Sequence, residues 1–215
     1  MKILIYSPVF YPSFGGIETV VSILSNEFVN QGNEVKLVTQ VPATDSKLFP
    51  FEVIRQPSWQ QLIKLTKWCD IYFQACVSLK GIWTLLIIPR SWVVTHQTWY
   101  CRSDGSLGLQ DYLKRFLTNF ATNIPASFAL AEHIKAPSTV IPNPYREDIF
   151  YEMPEIPRDQ EIVFLGRLVS DKGADLLLEA LGTPKKTGTN SKIDDYRKWP
   201  RRISTTPTGE RLRYS

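Results

Sequence analysis

Two cations, Arg167 and Lys172, stand in the segment Gly166-Arg-Leu-Val-Ser-Asp-Lys-Gly173, a loop bounded by glycines. A guanidinium offers a planar fork and an ammonium a mobile point charge. Together they suit the two phosphates of a diphosphate, although a solvated surface loop would look the same. A second phosphate-binding candidate is Gly15-Gly16-Ile17-Glu18, which opens an apolar helical pattern. Glycines let a backbone approach a ligand closely, and a helix N-terminus points unpaired N–H groups outward; a plain tight turn is the alternative. His96 ends the run Val93-Val94-Thr95, a histidine at the carboxyl end of a buried strand, where it could serve a ligand or simply be satisfied within the core. Asn143 lies in Val140-Ile-Pro-Asn-Pro144, where a strand would give way to a rigid turn.

These groups need a scaffold, and the hydrophobic pattern supplies one. Lys2–Tyr6 is a short apolar run typical of a strand buried on both faces. Ile17, Val20, Val21, Ile23, Leu24 and Phe28 recur at helical spacing, Gly32 caps that helix, and Glu34–Thr39 reads as the next strand. Further strands are expected at 51–55, 70–74, 92–95, 127–130 and 139–141, with helices at 60–68 and 109–120. Strands alternating with helices indicate an α/β fold with a Rossmann-like, doubly wound parallel sheet over residues 1–150. Residues 151–160, with two prolines and four charges, read as a linker. A second strand, loop and helix begin over 161–182, and from residue 183 all periodicity is lost.

Composition narrows the function classes. Of 215 residues, 43% are hydrophobic, ordinary for a globular chain. The net charge of +4 is concentrated in the tail: residues 183–215 hold nine Lys or Arg against three acids, leaving the remainder mildly acidic. The case for a nucleic-acid partner is therefore weak. Cys69, Cys76 and Cys101 have no metal-ligand spacing and read as free thiols in a reducing compartment. No run reaches the roughly 20 apolar residues that span a bilayer, and a cytoplasmic protein is expected. Trp59, Leu62, Ile63 and Trp68 beside Lys64 and Lys67 could meet anionic lipid at the inner membrane face or pack on the sheet.

In order and spacing, FGGIE, VVTHQ, VIPNP and GRLVSDKG resemble glycosyltransferase family 4 across roughly residues 1–182. Pro144 departs from the glycine usual there and should stiffen the turn. The resemblance implies the GT-B architecture, two Rossmann-like domains facing a cleft, with retaining sugar transfer from a nucleotide-sugar donor and neither metal nor other cofactor. It implies that Gly15 and Gly16 approach the donor phosphate, and that Arg167 and Lys172 neutralise the departing diphosphate. It places His96 at the transferred sugar as the catalytic candidate, with Glu18 and Asn143 on the acceptor side. The acceptor class would be a glycan, a lipid-linked sugar or a small molecule.

The family's donor-binding Glu-x7-Glu segment is missing. Deleting one base within codons permitted at Lys185-Lys186 opens a frame reading LTIIGNGPEEFQLRQL, a strand, a Gly-x-Gly turn and a helix. Residues 183–215 are therefore expected to be a frameshifted, disordered basic tail, and the chain a truncated enzyme of little or no activity. Two other readings stand beside this one: a non-catalytic module that binds a sugar or a partner, and an unrelated nucleotide-binding protein. The latter lacks both the GKS/GKT and G-x-G-x-x-G patterns.

Overall fold

The computed structural model describes residues 1–42, 47–102, 104–152, 154, 162, 164–166 and 172–182. By internal contacts the chain divides into two units, Met1–Glu152 and Met153–Ser215.

In the first unit the apolar runs become six strands: β1 (Lys2–Ser7), β2 (Glu34–Thr39), β3 (Glu52–Arg55), β4 (Ile71–Ala75), β5 (Ser91–His96) and β6 (Thr122–Pro125). They form one sheet in the order β3-β2-β1-β4-β5-β6, every neighbouring pair parallel. This is the doubly wound α/β arrangement that the pattern predicts, with the strand order reversing between β1 and β4. The amino edge is pinned by Asp70, whose Oδ2 accepts from the Lys2 amide at 2.8 Å while its own amide donates to the Lys2 carbonyl at 2.8 Å.

The helices are α1 (Gly16–Asn30), α2 (Trp59–Trp68), α3 (Leu79–Ile82), α4 (Leu109–Leu117) and α5 (Phe128–Ile134). α1 follows from its apolar spacing and ends where predicted. Gly32 adopts φ +80°, its amide bonds Val29 O at 2.9 Å, and the Asn33 amide bonds Phe28 O at 3.0 Å. That is a Schellman closure, which needs a residue tolerant of the left-handed region. α2 starts at a capping box: Ser58 Oγ accepts from the Gln61 amide, and Gln61 Oε1 accepts from the Ser58 amide.

The core lies on both faces of the sheet. On one face Ile3, Ile5, Val35, Leu37, Phe73 and Ala75 meet Val21 of α1 and the loop ring Phe10. On the other, Leu4, Tyr6, Tyr72 and Val94 meet Leu62 of α2, Ile82 of α3 and Ile134 of α5. Leu62 and Thr66 thus seat α2 on the sheet, while Trp59 stays exposed.

The structure corrects two expectations, and it leaves one apolar helix face open. Residues 127–130 are not a strand: Ser127 Oγ accepts from the Leu130 amide at 3.3 Å and starts α5, and the strand lies earlier, at β6. Residues 139–141 run beside β6 through Thr139 N–H to Asn123 O (3.0 Å) and Ile141 N–H to Pro125 O (3.1 Å), without forming a strand. The apolar stripe of α4 is not buried. Leu109, Tyr112, Leu113 and Phe116, with Phe120 in the following 3-10 turn, face solvent.

In the second unit α6 (Ala174–Gly182) forms as expected, preceded by Gly173 at φ +69°. Residues 162, 164 and 165 carry no strand assignment. Arg167, most of the linker and the tail 183–215 lie outside the described residues.

Candidate functional site

Open parallel sheets bind ligands beyond the carboxyl ends of their strands, at the point where strand order reverses. Here that point lies between β1 and β4, and the segments that follow strands at this end of the sheet are residues 8–15, 40–42, 76–78, 97–102 and 104–108.

The first loop leads from β1 into α1. Gly15 is fully extended (φ −179°), and no side chain caps the helix. A Cβ at Gly15 would stand 2.6 Å from Glu18 Oε2, a contact the flexible carboxylate could relieve by swinging aside. The Glu18 carboxylate therefore lies against the helix N-terminus, the position the helix dipole favours for negative charge. A Cβ added to Gly16 would meet nothing within 4 Å, so this first turn opens outward. Gly15, Gly16 and Glu18 are gathered at one helix end, and a phosphate bound there would have to share the turn with the carboxylate.

His96 ends β5 and is fully buried. Both ring nitrogens are engaged, Nδ1 with Tyr100 Oη at 2.8 Å and Nε2 with Asn123 Oδ1 at 3.0 Å. The orientation of Asn123 settles the tautomer. Its Nδ2 lies 2.8 Å from Thr118 O, 3.1 Å from Ala121 O and 3.0 Å from Pro137 O, all acceptors, so Oδ1 must accept from His96. Nε2 then carries the hydrogen, Nδ1 accepts from the Tyr100 hydroxyl, and Tyr100 Oη accepts from the Val77 amide at 2.9 Å. Burial pushes the imidazole down from 6.5 to about 4, against a smaller opposing effect of Asn123, so the ring is neutral near pH 7. The same burial drives the Tyr100 hydroxyl far up, so it stays a donor. As built, His96 ties β5 to β6 and to the loops after β4 and β5, with neither ring nitrogen facing solvent.

Cys76, just past β4, sits in the left-handed region at φ +61°, its amide bonded to Thr95 O at 2.9 Å. Such a conformation costs roughly 1 kcal/mol in a non-glycine residue and often marks a functional edge. Burial pushes the Cys76 thiol up and raises that of Cys69 to about 11; Cys76, Cys69 and the half-buried Cys101 are all free. Thiolate chemistry at neutral pH is therefore unfavourable at the two buried positions.

Asn143 is exposed in the chain beyond β6. Lys172, exposed, belongs to the second unit, where its Cβ packs 3.8 Å from the position a Cβ would take on Gly166. Among the described residues no group of three His, Cys, Asp or Glu side chains is placed to hold a metal, and no helix is long and apolar enough to cross a membrane. Sequence reasoning reached His96 but missed Tyr100, Asn123 and His133, whose Nε2 accepts from the Tyr100 amide at 3.1 Å. The signal for Tyr100 was its place four residues after the histidine; for Asn123 there was none.

No protein-family profile and no curated protein sequence matches the chain. Among solved structures it is similar to a sucrose-phosphate synthase from Thermosynechococcus elongatus, with TM-score 0.62 and 13% identity over 84% of this chain and 59% of that one. An alpha-glucosyltransferase in complex with UDP and a 13-mer DNA containing a central A:G mismatch aligns at TM-score 0.41 and 21% identity, over 60% of this chain and 37% of that one. The chain thus spans less than two thirds of the length of either protein. At these identities the likeness is one of fold, and the sheet with its crevice is a Rossmann-like arrangement shared with the sucrose-phosphate synthase.

Proposed function

We propose that the chain carries one side of a nucleotide-sugar-dependent glycosyltransferase. The observation that supports this most is the outward-opening Gly15-Gly16 start of α1, set directly after β1 where the strand order reverses. The fold shared with a sucrose-phosphate synthase adds weight. In this reading the α1 amides take a phosphate of the donor, and Arg167 and Lys172 neutralise the departing diphosphate. Loss of one such cation costs about 2–4 kcal/mol of transition-state stabilisation. Transfer proceeds with retention and without a metal, to a glycan, a lipid-linked sugar or a small molecule. The buried His96 acts by holding the loops that shape the crevice, since both its nitrogens are committed within the protein.

That same commitment favours a second reading, a module that binds a sugar or partner without transferring anything. Ligand-observed NMR on the full chain with UDP-glucose, ADP-glucose and GDP-mannose, followed by product analysis, separates the two. Binding of one of them that weakens severalfold in Arg167→Ala supports the donor site. Sugar binding indifferent to Arg167 supports the module. Failure of all three to bind overturns the nucleotide-sugar reading.

A further inference from the structure

A row of small side chains crosses the carboxyl end of the sheet on the face that α1 covers. Ser7 is paired with Thr39, Ala75 with Thr95, and the β1–β4 register sets Ser7 beside Ala75. Two hydroxyls of this row are satisfied locally: Ser7 Oγ donates to Val9 O at 2.5 Å, and Thr39 Oγ1 accepts from the Val41 amide at 3.3 Å. Thr95 differs. It is only 8% exposed, and its Oγ1 has no hydrogen-bond partner among the described residues. Two residues on, just past β5, both Oε1 and Nε2 of Gln97 are also buried and unpartnered among the described residues. Buried polar groups are normally paired, so three orphaned atoms at one strand end point to a partner outside the chain.

The chemistry of the set defines that partner. A carboxamide presents a donor and an acceptor side by side, and a hydroxyl can do either. The set is neutral, and its carbonyl oxygen would repel a phosphate oxygen. It matches adjacent hydroxyls, which themselves both donate and accept. We infer that Thr95 Oγ1 and the Gln97 carboxamide form a subsite that reads vicinal hydroxyls of the sugar, a specificity role distinct from the phosphate contacts at α1. The inference rests on the transferase reading above and adds two residues to it.

The test compares Thr95→Val and Gln97→Leu with the unmodified full chain, each of similar shape but lacking the polar atoms. UDP-glucose, ADP-glucose and GDP-mannose are titrated against UDP, ADP and GDP, and Tm is measured on the same samples. Both variants should melt higher, because a buried unpaired group has been removed. In both, the affinity advantage of the nucleotide sugar over its free nucleotide should fall by about tenfold, with free-nucleotide binding unchanged. A variant that keeps the advantage overturns the subsite and leaves the transferase reading standing. A lower Tm in both variants also overturns it, since these groups would then be paired within the fold. An unmodified chain that favours no nucleotide sugar over its nucleotide overturns both.

Discussion

His96 Nε2 donates to Asn123 Oδ1 across 3.0 Å, and this bond fixes which imidazole nitrogen accepts from Tyr100. One strand-end histidine is thereby locked neutral between two strands and two loops. Its titration should be visible in stability. The ordinary value is 6.5 and the folded value about 4, so below pH 6.5 the unfolded chain takes up a proton that the folded chain refuses. Stability from this group is complete above pH 6.5 and lost as pH falls towards 4, amounting to about 3 kcal/mol. Denaturant unfolding at pH 7 and pH 4.5, repeated on His96→Phe, checks it: the variant should lose that part of the pH dependence.

Asn123 makes four contacts from one buried side chain. Asn123→Leu takes a donor from three carbonyls, of which Thr118 O still accepts from the Ala121 amide, and leaves the His96 N–H without its partner; it should cost about 3–5 kcal/mol, measured by chemical denaturation. Asn123→Asp sets a carboxylate against those carbonyls and beside the imidazole. It should destabilise the fold and raise the His96 titration, which NMR of the ring protons would follow.

Gly81 lies under Tyr6. A Cβ at that position would come 2.8 Å from the Tyr6 ring, which is fully buried and stacked on Tyr72 at 6.5 Å between centroids. The Gly81 carbonyl also accepts from the Tyr72 hydroxyl at 2.9 Å. Gly81→Ala should therefore destabilise by about 1–3 kcal/mol through overpacking, seen as a lower Tm.

Gly16→Ala should do the opposite to stability. Nothing stands within 4 Å of the added methyl, and alanine narrows the unfolded ensemble, for a gain of up to about 1 kcal/mol. Nucleotide affinity should nonetheless fall, because the methyl keeps a phosphate from the first-turn amides. Thermal melts and titration with UDP on the same samples measure both. A rise in Tm with unchanged affinity would remove Gly16 from the site.

Five of the six strands were legible because they are short and rich in apolar residues, and β2 is found at the predicted residues, Glu34–Thr39, whereas β6 (TNIP) carries too few apolar residues to show. Residues 127–130 misled because a four-residue apolar run carries no period; what decided it was the Ser127 hydroxyl bonding to the Leu130 amide. Of the site, the local pieces could be read: a glycine pair ahead of a helix, and a histidine ending a strand. The partners of that histidine could not. Asn123 stands 27 residues away and meets His96 only because β5 and β6 are neighbours in the sheet. Nor does a sequence say whether a buried threonine has found a hydrogen-bond partner; that depends on atoms, as the difference between Thr39 and Thr95 shows.

The uncovered stripe of α4 has a consequence for how the protein behaves in a tube. Contacts made through Tyr112, Phe116 and Phe120 would gain strength on warming and in sulfate, and lose it in the cold, the reverse of an ionic attraction. Light scattering recorded across temperature and salt type should therefore show clustering that chilling disperses and dilution of sodium chloride leaves alone.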